Sequence, residues 1–171
     1  MTLPQLFERL PEEFRQAFDD TEPWGLLGEP LEAALAALPS ESIEISLSPE
    51  VHLAGDRVVI GAGTRIQPGV LIEGPVRIGR DVLIRTGAYL RGGCWVGDGC
   101  VVGANTEVKR SLLLDGAKAP HLADVGDSVL GRGVNLGAGT VLSTFRHDGA
   151  EIVLGERDGR LATGRRKLGA V

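Results

Sequence analysis

Residues 60–114 read IGAGTRIQPGVLIEGPVRIGRDVLIRTGAYLRGGCWVGDGCVVGANTEVKRSLLL. An aliphatic residue recurs at every sixth position of this stretch, at Ile60, Ile66, Ile72, Ile78, Ile84, Leu90, Val96, Val102, Val108 and Leu114. This period matches neither the 3.6-residue turn of an α-helix nor the two-residue alternation of a hairpin strand. It is typical of a solenoid in which each hexapeptide forms one side of a coil and its aliphatic residue points toward the axis. The stretch therefore predicts an all-β fold, a parallel β-helix of triangular section.

The period changes beyond residue 114 and stops at residue 142. The aliphatic pattern continues after two short steps of five residues, at Val125, Leu130, Leu136 and Leu142. Residues 143–168 break the pattern and are expected to contain a β-hairpin, with strands at 151–154 and 160–163. A long departure from a regular solenoid is a common place for function, and a passive surface loop is the equal alternative.

Three segments are therefore expected along the chain. These are a helical segment at 1–40, the β-helix at 41–142, and an inserted hairpin with the start of a further rung at 143–171. The helical segment has an apolar stripe, formed by Leu6, Phe7, Leu10, Phe14 and Phe18. Trp24 follows this stripe and is expected to pack the helices onto a coil or onto a neighbouring molecule.

Composition limits the classes of partner. The 171 residues suffice for one domain with a sizeable core. A net charge of −5 disfavours nucleic acid and anionic membranes. The N-terminus lacks the features of a signal peptide, and no stretch approaches the roughly 20 apolar residues of a membrane span. We expect a cytoplasmic protein in which Cys94 and Cys100 are small core residues, not a disulfide or a metal site.

The residues alone suggest little chemistry. The three histidines, His52, His121 and His147, are too scattered to predict a metal site with three histidine ligands, and a zinc site stays a minor alternative. Neither of the common glycine-rich phosphate-binding loops is present. His121 lies where the repeat breaks, so its side chain is expected to leave the solenoid wall and face a groove. As a lone histidine it would be interpreted as a surface or capping residue.

A resemblance strengthens the functional interpretation. The hexapeptides are similar to those of hexapeptide-repeat acyltransferases, which fold as left-handed parallel β-helices. Residues 91–140 resemble the C-terminal acetyltransferase domain of bifunctional N-acetylglucosamine-1-phosphate uridylyltransferases. The run TGRRKLGA at 163–170 also resembles the β-helix tail of archaeal sugar-1-phosphate nucleotidyltransferases. The left-handed coil and a homotrimeric assembly, with sites between subunits, are implied by this resemblance alone.

The resemblance also implies roles for individual residues. The family's two phosphate-binding cations correspond to Arg91 and Lys109, and its catalytic histidine corresponds to His121. A substrate-contacting asparagine corresponds to Asn135, and a backbone amide that contacts the acyl thioester corresponds to Ala138. These residues imply acetyl-CoA as acyl donor and a sugar phosphate or nucleotide sugar as acceptor, with no metal. We expect Arg91, Lys109, His121 and Asn135 to line one groove.

Three departures from the family pattern oppose this assignment. Asp124 replaces a substrate-binding tyrosine, Thr144 replaces a second asparagine, and Ala150 replaces a lysine, for which Arg146 is an alternative. The family's other acetyl-CoA contacts correspond to rungs beyond Val171, and no nucleotide-binding loop precedes the solenoid. Two functions therefore remain open. One is an acyltransferase in sugar-nucleotide metabolism, and the other is a non-catalytic β-helix module that binds a sugar nucleotide or scaffolds a nucleotidyltransferase.

Overall fold

The computed structural model describes residues 10–19, 22–155 and 159–171. The chain begins there with helix α1 (Glu12–Asp19), a 3₁₀ helix (Pro23–Leu27) and helix α2 (Glu29–Ala36). The strands that follow are β1 (Glu41–Ile43), β2 (His52–Ala54), β3 (Val58–Ile60), β4 (Arg65–Ile66), β5 (Leu71–Glu73), β6 (Val76–Ile78), β7 (Leu83–Ile84), β8 (Tyr89–Leu90), β9 (Cys94–Val96), β10 (Val101–Ala104), β11 (Glu107–Lys109), β12 (Leu112–Leu113), β13 (Lys118–His121), β14 (Asp124–Gly126), β15 (Val129–Leu130), β16 (Val153–Leu154) and β17 (Leu161–Ala162).

Three parallel sheets form the faces of a triangular prism. Face A contains β1, β3, β6, β9, β12 and β15; face B contains β2, β5, β8, β11 and β14; face C contains β4, β7, β10 and β13. From β3 onward, the chain visits the faces in the order A, C, B on each rung. Each strand from β5 to β15 therefore pairs with the strand three places earlier in the chain. The predicted fold class is confirmed, and this architecture agrees with a left-handed β-helix.

The prism interior is filled by the aliphatic residues of the six-residue period. On face A the interior column runs through Ile60, Ile78, Val96, Leu113 and Leu130, each in register with the next. All of these side chains are at most 3% exposed. Because each fully buried aliphatic side chain contributes about 1.5–3 kcal/mol, the column stabilises the coil along its whole length.

One position of the predicted period is wrong. Val96 pairs with Leu113, and Leu114 packs outside the prism with the N-terminal helices. The side after Val108 is shorter because Ser111 turns the corner, where its hydroxyl donates to the carbonyl oxygen of Lys109 at 2.8 Å. The run of leucines at 112–114 satisfies either frame, so the period alone could not locate this step.

The N-terminal helices cover the outside of face A. Their buried residues form one cluster with outward-facing residues of that face, Trp95, Leu112, Leu114 and Val129. Phe14 meets Trp95 edge to face, with 5.1 Å between ring centroids. The predicted packing of this segment onto a coil is therefore confirmed, and Trp24 takes part in it. Leu6 and Phe7 of the predicted stripe lie outside the described residues, as does the side chain of Phe18.

Residues 143–168 form an excursion that leaves the prism and returns to it. The amide of Leu168 donates to the carbonyl of Thr144, and Phe145 pairs with Lys167 in an antiparallel bridge. Within the excursion, β16 and β17 pair in antiparallel register, as predicted for a hairpin. After it, the amides of Gly169 and Ala170 bond to Asp127 and Ser128, so the chain resumes the solenoid.

Two further observations concern the helices and the cysteines. None of the helices among the described residues is both long and apolar enough to cross a membrane. Cys94 and Cys100 are free thiols that are fully buried within the prism. Burial raises the pKa of each thiol to about 12.

Candidate functional site

Face B carries the candidate phosphate-binding residues on its outer surface. Glu107 is in register with Tyr89 and Asp124, whereas Lys109 is in register with Gly126 and lies beside Arg91, whose amide bonds to the carbonyl of Val108. Neighbouring strands of a sheet are about 4.8 Å apart, so Arg91 and Lys109 project from adjacent rungs in one column. The structure therefore brings together the two cations that the resemblance predicts.

Arg91 is held by neighbours on its own face. Its Nη1 lies 2.8 Å from Glu107 Oε1, and its guanidinium lies over the ring of Tyr89, 5.9 Å from the centroid. The hydrogen bond to Glu107 raises the pKa of Arg91. Tyr89 donates in turn to Glu73 at 2.7 Å, and this bond raises the pKa of the phenol. Arg91 is thus oriented but remains accessible to a ligand, because the pair with Glu107 is about half exposed.

Lys109 is held from the next rung by a buried carboxylate. Asp127 Oδ2 lies 3.7 Å from Lys109 Nζ, and Asp127 Oδ1 lies 2.6 Å from Arg110 Nη2. Gly126, the outward position above Lys109, has no side chain; a Cβ there would lie 3.1 Å from Thr144 Cγ2. Glycine thus leaves room for the start of the excursion to pass over face B.

A cavity of about 390 Å³ opens between these residues. It is lined by Glu73, Arg91, Gly92, Lys109, Arg110 and Lys167. It is a shallow depression that is open to solvent. Four of the six lining residues are cations, which favours an anionic ligand.

Two of those cations were missed by sequence reasoning. Arg110 follows Lys109 directly, and its role depends on the corner that turns it toward Asp127. Lys167 is distant in sequence and reaches the cavity only because the excursion returns to the prism beside face B. The basic run at 165–167 was the available signal, but the sequence does not show where that run returns.

His121, Asn135 and Ala138 lie on face C. His121 ends β13 and is in register with Ala104, and Asn135 forms a parallel bridge with Lys118 on the next rung. The amide of Gly139 donates to the carbonyl of His121 at 3.2 Å, which places Ala138 beside His121. All three residues are exposed. The amide of Ala138 has no backbone acceptor within the described part of the chain and is therefore free to donate to a ligand.

Within one chain, the predicted site residues occupy two adjacent faces. His121 ends β13 on face C, and the corner between faces C and B lies at 122–123. The next strand, β14, runs along face B to Gly126, which is in register with Lys109. The three extended residues of β14, which span about 10 Å, therefore separate this corner from the position of Lys109. His121 is not among the residues that line the cavity beside Arg91 and Lys109.

The corners next to these residues have unusual backbone conformations. Leu122, immediately after His121, has φ of 49°, and Arg110, immediately after Lys109, has φ of 43°. Arg57, Asp81, Asn105 and Asp127 have the same left-handed conformation. This corner therefore recurs along the solenoid and does not mark the candidate site.

The three departures from the family pattern are visible in the structure. Asp124 is exposed on face B, and Thr144 packs near Gly126. Arg146, the alternative to the missing lysine, makes a bidentate pair with Asp148 and lowers the pKa of that carboxyl. The amide of Ala150 also donates to Asp148. Arg146 is thus engaged within its own loop.

The side chains that could ligate a metal are dispersed over the described residues. Over residues 10–19, 22–155 and 159–171, no three His, Cys, Asp or Glu side chains are grouped closely enough to hold a metal ion. His52 and His121 project from different faces of the prism, on β2 and β13.

Sequence comparisons relate the solenoid to known proteins. Residues 75–110 match the family model of bacterial transferase hexapeptide repeats (six repeats). A bifunctional sugar-1-phosphate nucleotidylyltransferase/acetyltransferase from Sulfurisphaera tokodaii is 48% identical over 67 residues, which are 39% of this chain and 17% of that protein. The bifunctional protein GlmU from Nitrosospira multiformis is 57% identical over 44 residues, which are 26% of this chain and 9% of that protein.

A solved structure gives only a distant match. It is a mutant of perosamine N-acetyltransferase from Caulobacter crescentus in complex with CoA and GDP-perosamine, with 20% identity and a TM-score of 0.34. The match covers 58% of this chain and 51% of that chain. The sequence matches span about a sixth or less of the length of these two curated relatives. The sequence matches confirm the predicted resemblance: part of this chain is homologous to part of bifunctional GlmU proteins and of a sugar-1-phosphate nucleotidylyltransferase/acetyltransferase.

Proposed function

We propose that this chain is an acyltransferase domain that acetylates an amino-sugar phosphate or nucleotide sugar, with acetyl-CoA as donor. The observation that carries the proposal is the cavity on face B, where Arg91 and Lys109 project from adjacent rungs toward one space. The names of the sequence relatives, which include an acetyltransferase, support the reaction class.

The cations would bind and orient the acceptor. Charge-assisted hydrogen bonds from a guanidinium or an ammonium to phosphate are roughly twice as strong as neutral ones. Arg91 and Lys109 hold the phosphate from two rungs and thereby restrict the position of the sugar that carries it. Positioning of this kind lowers the barrier by converting an encounter between molecules into a reaction within one complex.

His121 and Ala138 would serve the chemical step. The neutral imidazole of His121 accepts the proton of the sugar amine as its nitrogen attacks the acyl carbon, a role worth about 10²–10⁴-fold in rate. A C–N bond forms, the C–S bond of the thioester breaks, and the proton can then pass to the departing sulfur. The free amide of Ala138 donates to the oxygen on which negative charge develops. Asn135, beside Lys118 on face C, orients the sugar.

The proposed site is completed by a homotrimer. Since the cations and His121 occupy adjacent faces of one chain, face B of one subunit would meet face C of the next across a groove. Leu122 and Val141 lie near the B–C corner and are 61% and 67% exposed. Apolar side chains at such a corner are suited to contact between subunits.

The second candidate is a module that binds sugar nucleotides without catalysis. It is favoured by Asp124 and Ala150, which stand where the family has a tyrosine and a lysine, and by the pairing of Arg146 with Asp148. This candidate keeps the cavity on face B and assigns no chemistry to His121.

Binding and transfer measurements with four variants test both candidates. Lys109→Ala and Arg91→Ala should each weaken binding of a sugar 1-phosphate by about 1.5–3 kcal/mol in calorimetry, the value for a lost charged hydrogen bond. His121→Ala should preserve binding and abolish release of CoA from acetyl-CoA. Arg80→Ala is the control, because it removes an exposed cation from the corner after β6, away from the cavity.

The outcomes separate the candidates. Transfer that depends on His121 supports the enzyme, whereas binding without transfer under any condition supports the module. Absence of sugar-phosphate and UDP-sugar binding to the intact protein contradicts both.

A further inference from the structure

We propose that Asp127 is the positioning residue of the cavity on face B: its buried carboxylate fixes Lys109 and Arg110 so that both cations face a bound phosphate. This inference rests on the proposed function, since it takes the cavity to be a phosphate site. It assigns a role to a residue that neither the six-residue period nor the resemblance singles out.

The backbone of Asp127 is fixed on both sides. It occupies the corner between faces B and A with φ of 47°, a left-handed conformation that aspartate tolerates better than most residues. Its amide donates to the carbonyl of Lys109 at 3.0 Å, and its own carbonyl accepts from the amide of Gly169 at 3.0 Å. Asp127 therefore connects the rung of Lys109 to the segment that carries Lys167.

The side chain of Asp127 is buried beside two cations. Asp127 is only 7% exposed. A buried carboxylate is expensive unless it is paired, and the pairs here are Oδ1 with Arg110 at 2.6 Å and Oδ2 with Lys109 at 3.7 Å. Arg165 lies near enough on the same side for Asp127 to act on its charge: burial lowers the pKa of Arg165, and Asp127 opposes this effect.

The two pairs differ in a way that suits ligand binding. Arg110 is within hydrogen-bond distance of Oδ1, whereas Lys109 is attracted to Oδ2 without a hydrogen bond. No donor among the described residues reaches that buried oxygen. An ammonium group has three N–H donors. Lys109 can therefore direct them at a phosphate while its charge stays beside the carboxylate.

Two roles for Asp127 predict opposite changes in anion affinity when its carboxylate is removed. If the carboxylate only neutralised the cations, its removal would add one positive charge to the cavity and would strengthen the binding of anions. If it positions the cations, its removal leaves Lys109 and Arg110 without the group that orients them, and binding weakens in spite of the added charge. The sign of the change in affinity distinguishes the roles.

Calorimetry with inorganic phosphate and a sugar 1-phosphate provides the test. Asp127→Asn keeps the shape of the side chain and the preference for a left-handed corner. We expect its affinity for the sugar 1-phosphate to fall about tenfold or more, in the range for a lost charged interaction. Asp127→Gly also suits the corner and should show the same loss, so the test does not depend on the folding of one variant.

A double-mutant cycle separates positioning from a general structural role. In a Lys109→Met, Arg110→Met background, Asp127→Asn should change the affinity much less than it does in the parent, because both residues through which Asp127 acts are already gone. Equal or tighter binding by Asp127→Asn, or the same loss in both backgrounds, would overturn the inference while leaving the phosphate site in place. Failure of the parent protein to bind either ligand would instead refute the proposed function.

Discussion

Faces A and B of the prism share one interior and differ completely outside. The outward residues of face A include Trp95, Leu112 and Val129, and the N-terminal helices bury them. The outward residues of face B include Arg91, Glu107 and Lys109, which pair with carboxylates or cations and remain partly exposed. Inward residues of both faces are buried aliphatic side chains.

This difference shows that inward and outward positions of the repeat have separate roles. Inward residues form the core, and outward residues are left to differ between the faces. Side chains in a strand alternate between the two sides of the sheet, so an inward position can stay constant while its neighbour varies. Face A uses its variable positions to bind another part of the chain. Face B uses them to present charge. The same backbone therefore supports a packing surface on one side and a candidate ligand site on another.

The largest expected effect is on face A. Trp95→Ala removes the ring that Phe14 meets edge to face and that the Arg77 guanidinium covers at 4.7 Å. We expect a loss of about 3–5 kcal/mol in the free energy of unfolding, measured by urea denaturation. Leu161→Ala, at an exposed position of β17, is the control. A loss well below this range would mean that the helices add little to the stability of face A.

An intermediate effect tests the interior that both faces share. The thiols of Cys94 and Cys100 have pKa values raised from 9.0 to about 12 by burial. Because the pKa of each thiol is higher in the folded state than in the unfolded state, the stability gained from the protonated thiols is complete below pH 9. This stability is lost as the pH rises toward 12. The slope is about 1.4 kcal/mol per pH unit for each thiol in this window.

Chemical denaturation between about pH 8.5 and about pH 10.5, a range that begins near the ordinary thiol pKa, measures that slope. A Cys94→Ala, Cys100→Ala double variant is the matched comparison and should lose the thiol part of the alkaline destabilisation. Rapid reaction of both thiols with a thiol reagent in the native state at pH 8 would show that the interior is open.

The smallest expected effect is on face B. Glu107→Gln breaks the pair with Arg91, which is about half exposed on both sides. Exposed pairs contribute about 0–1 kcal/mol, so the midpoint of urea denaturation should barely change. Thermal and urea denaturation of this variant beside Trp95→Ala measure the contrast between the faces directly. A large loss would show that the charges of face B stabilise the fold.

The interior of the prism was predictable because its signal is local and periodic. Ile60, Ile78 and Val96 recur eighteen residues apart, which is three hexapeptides, and the structure buries each of them. The period failed at Leu114, where three adjacent leucines made the frame ambiguous and Ser111 formed a shorter corner. The surface that the N-terminal helices cover could not be identified from the sequence, because the outward apolar residues of face A do not recur with a period of their own.

The candidate site was predictable only in part. Arg91 and Lys109 lie on adjacent rungs, as their spacing and the resemblance indicate, and the cavity includes both. The placement of Lys167 depends on how the excursion closes, and the role of Asp127 depends on a corner geometry. Neither feature has a local sequence pattern. A common groove for His121 and the two cations stays a prediction that requires the assembly.

The closure of the excursion has a consequence for protein engineering. Because the amide of Leu168 bonds directly to the carbonyl of Thr144, the two ends of the excursion lie side by side on the prism. A change of length at the tip, between β16 and β17, therefore leaves these two ends in place, in contrast to an insertion within a rung. A peptide grafted between β16 and β17 would be displayed from a rigid prism at a fixed attachment point.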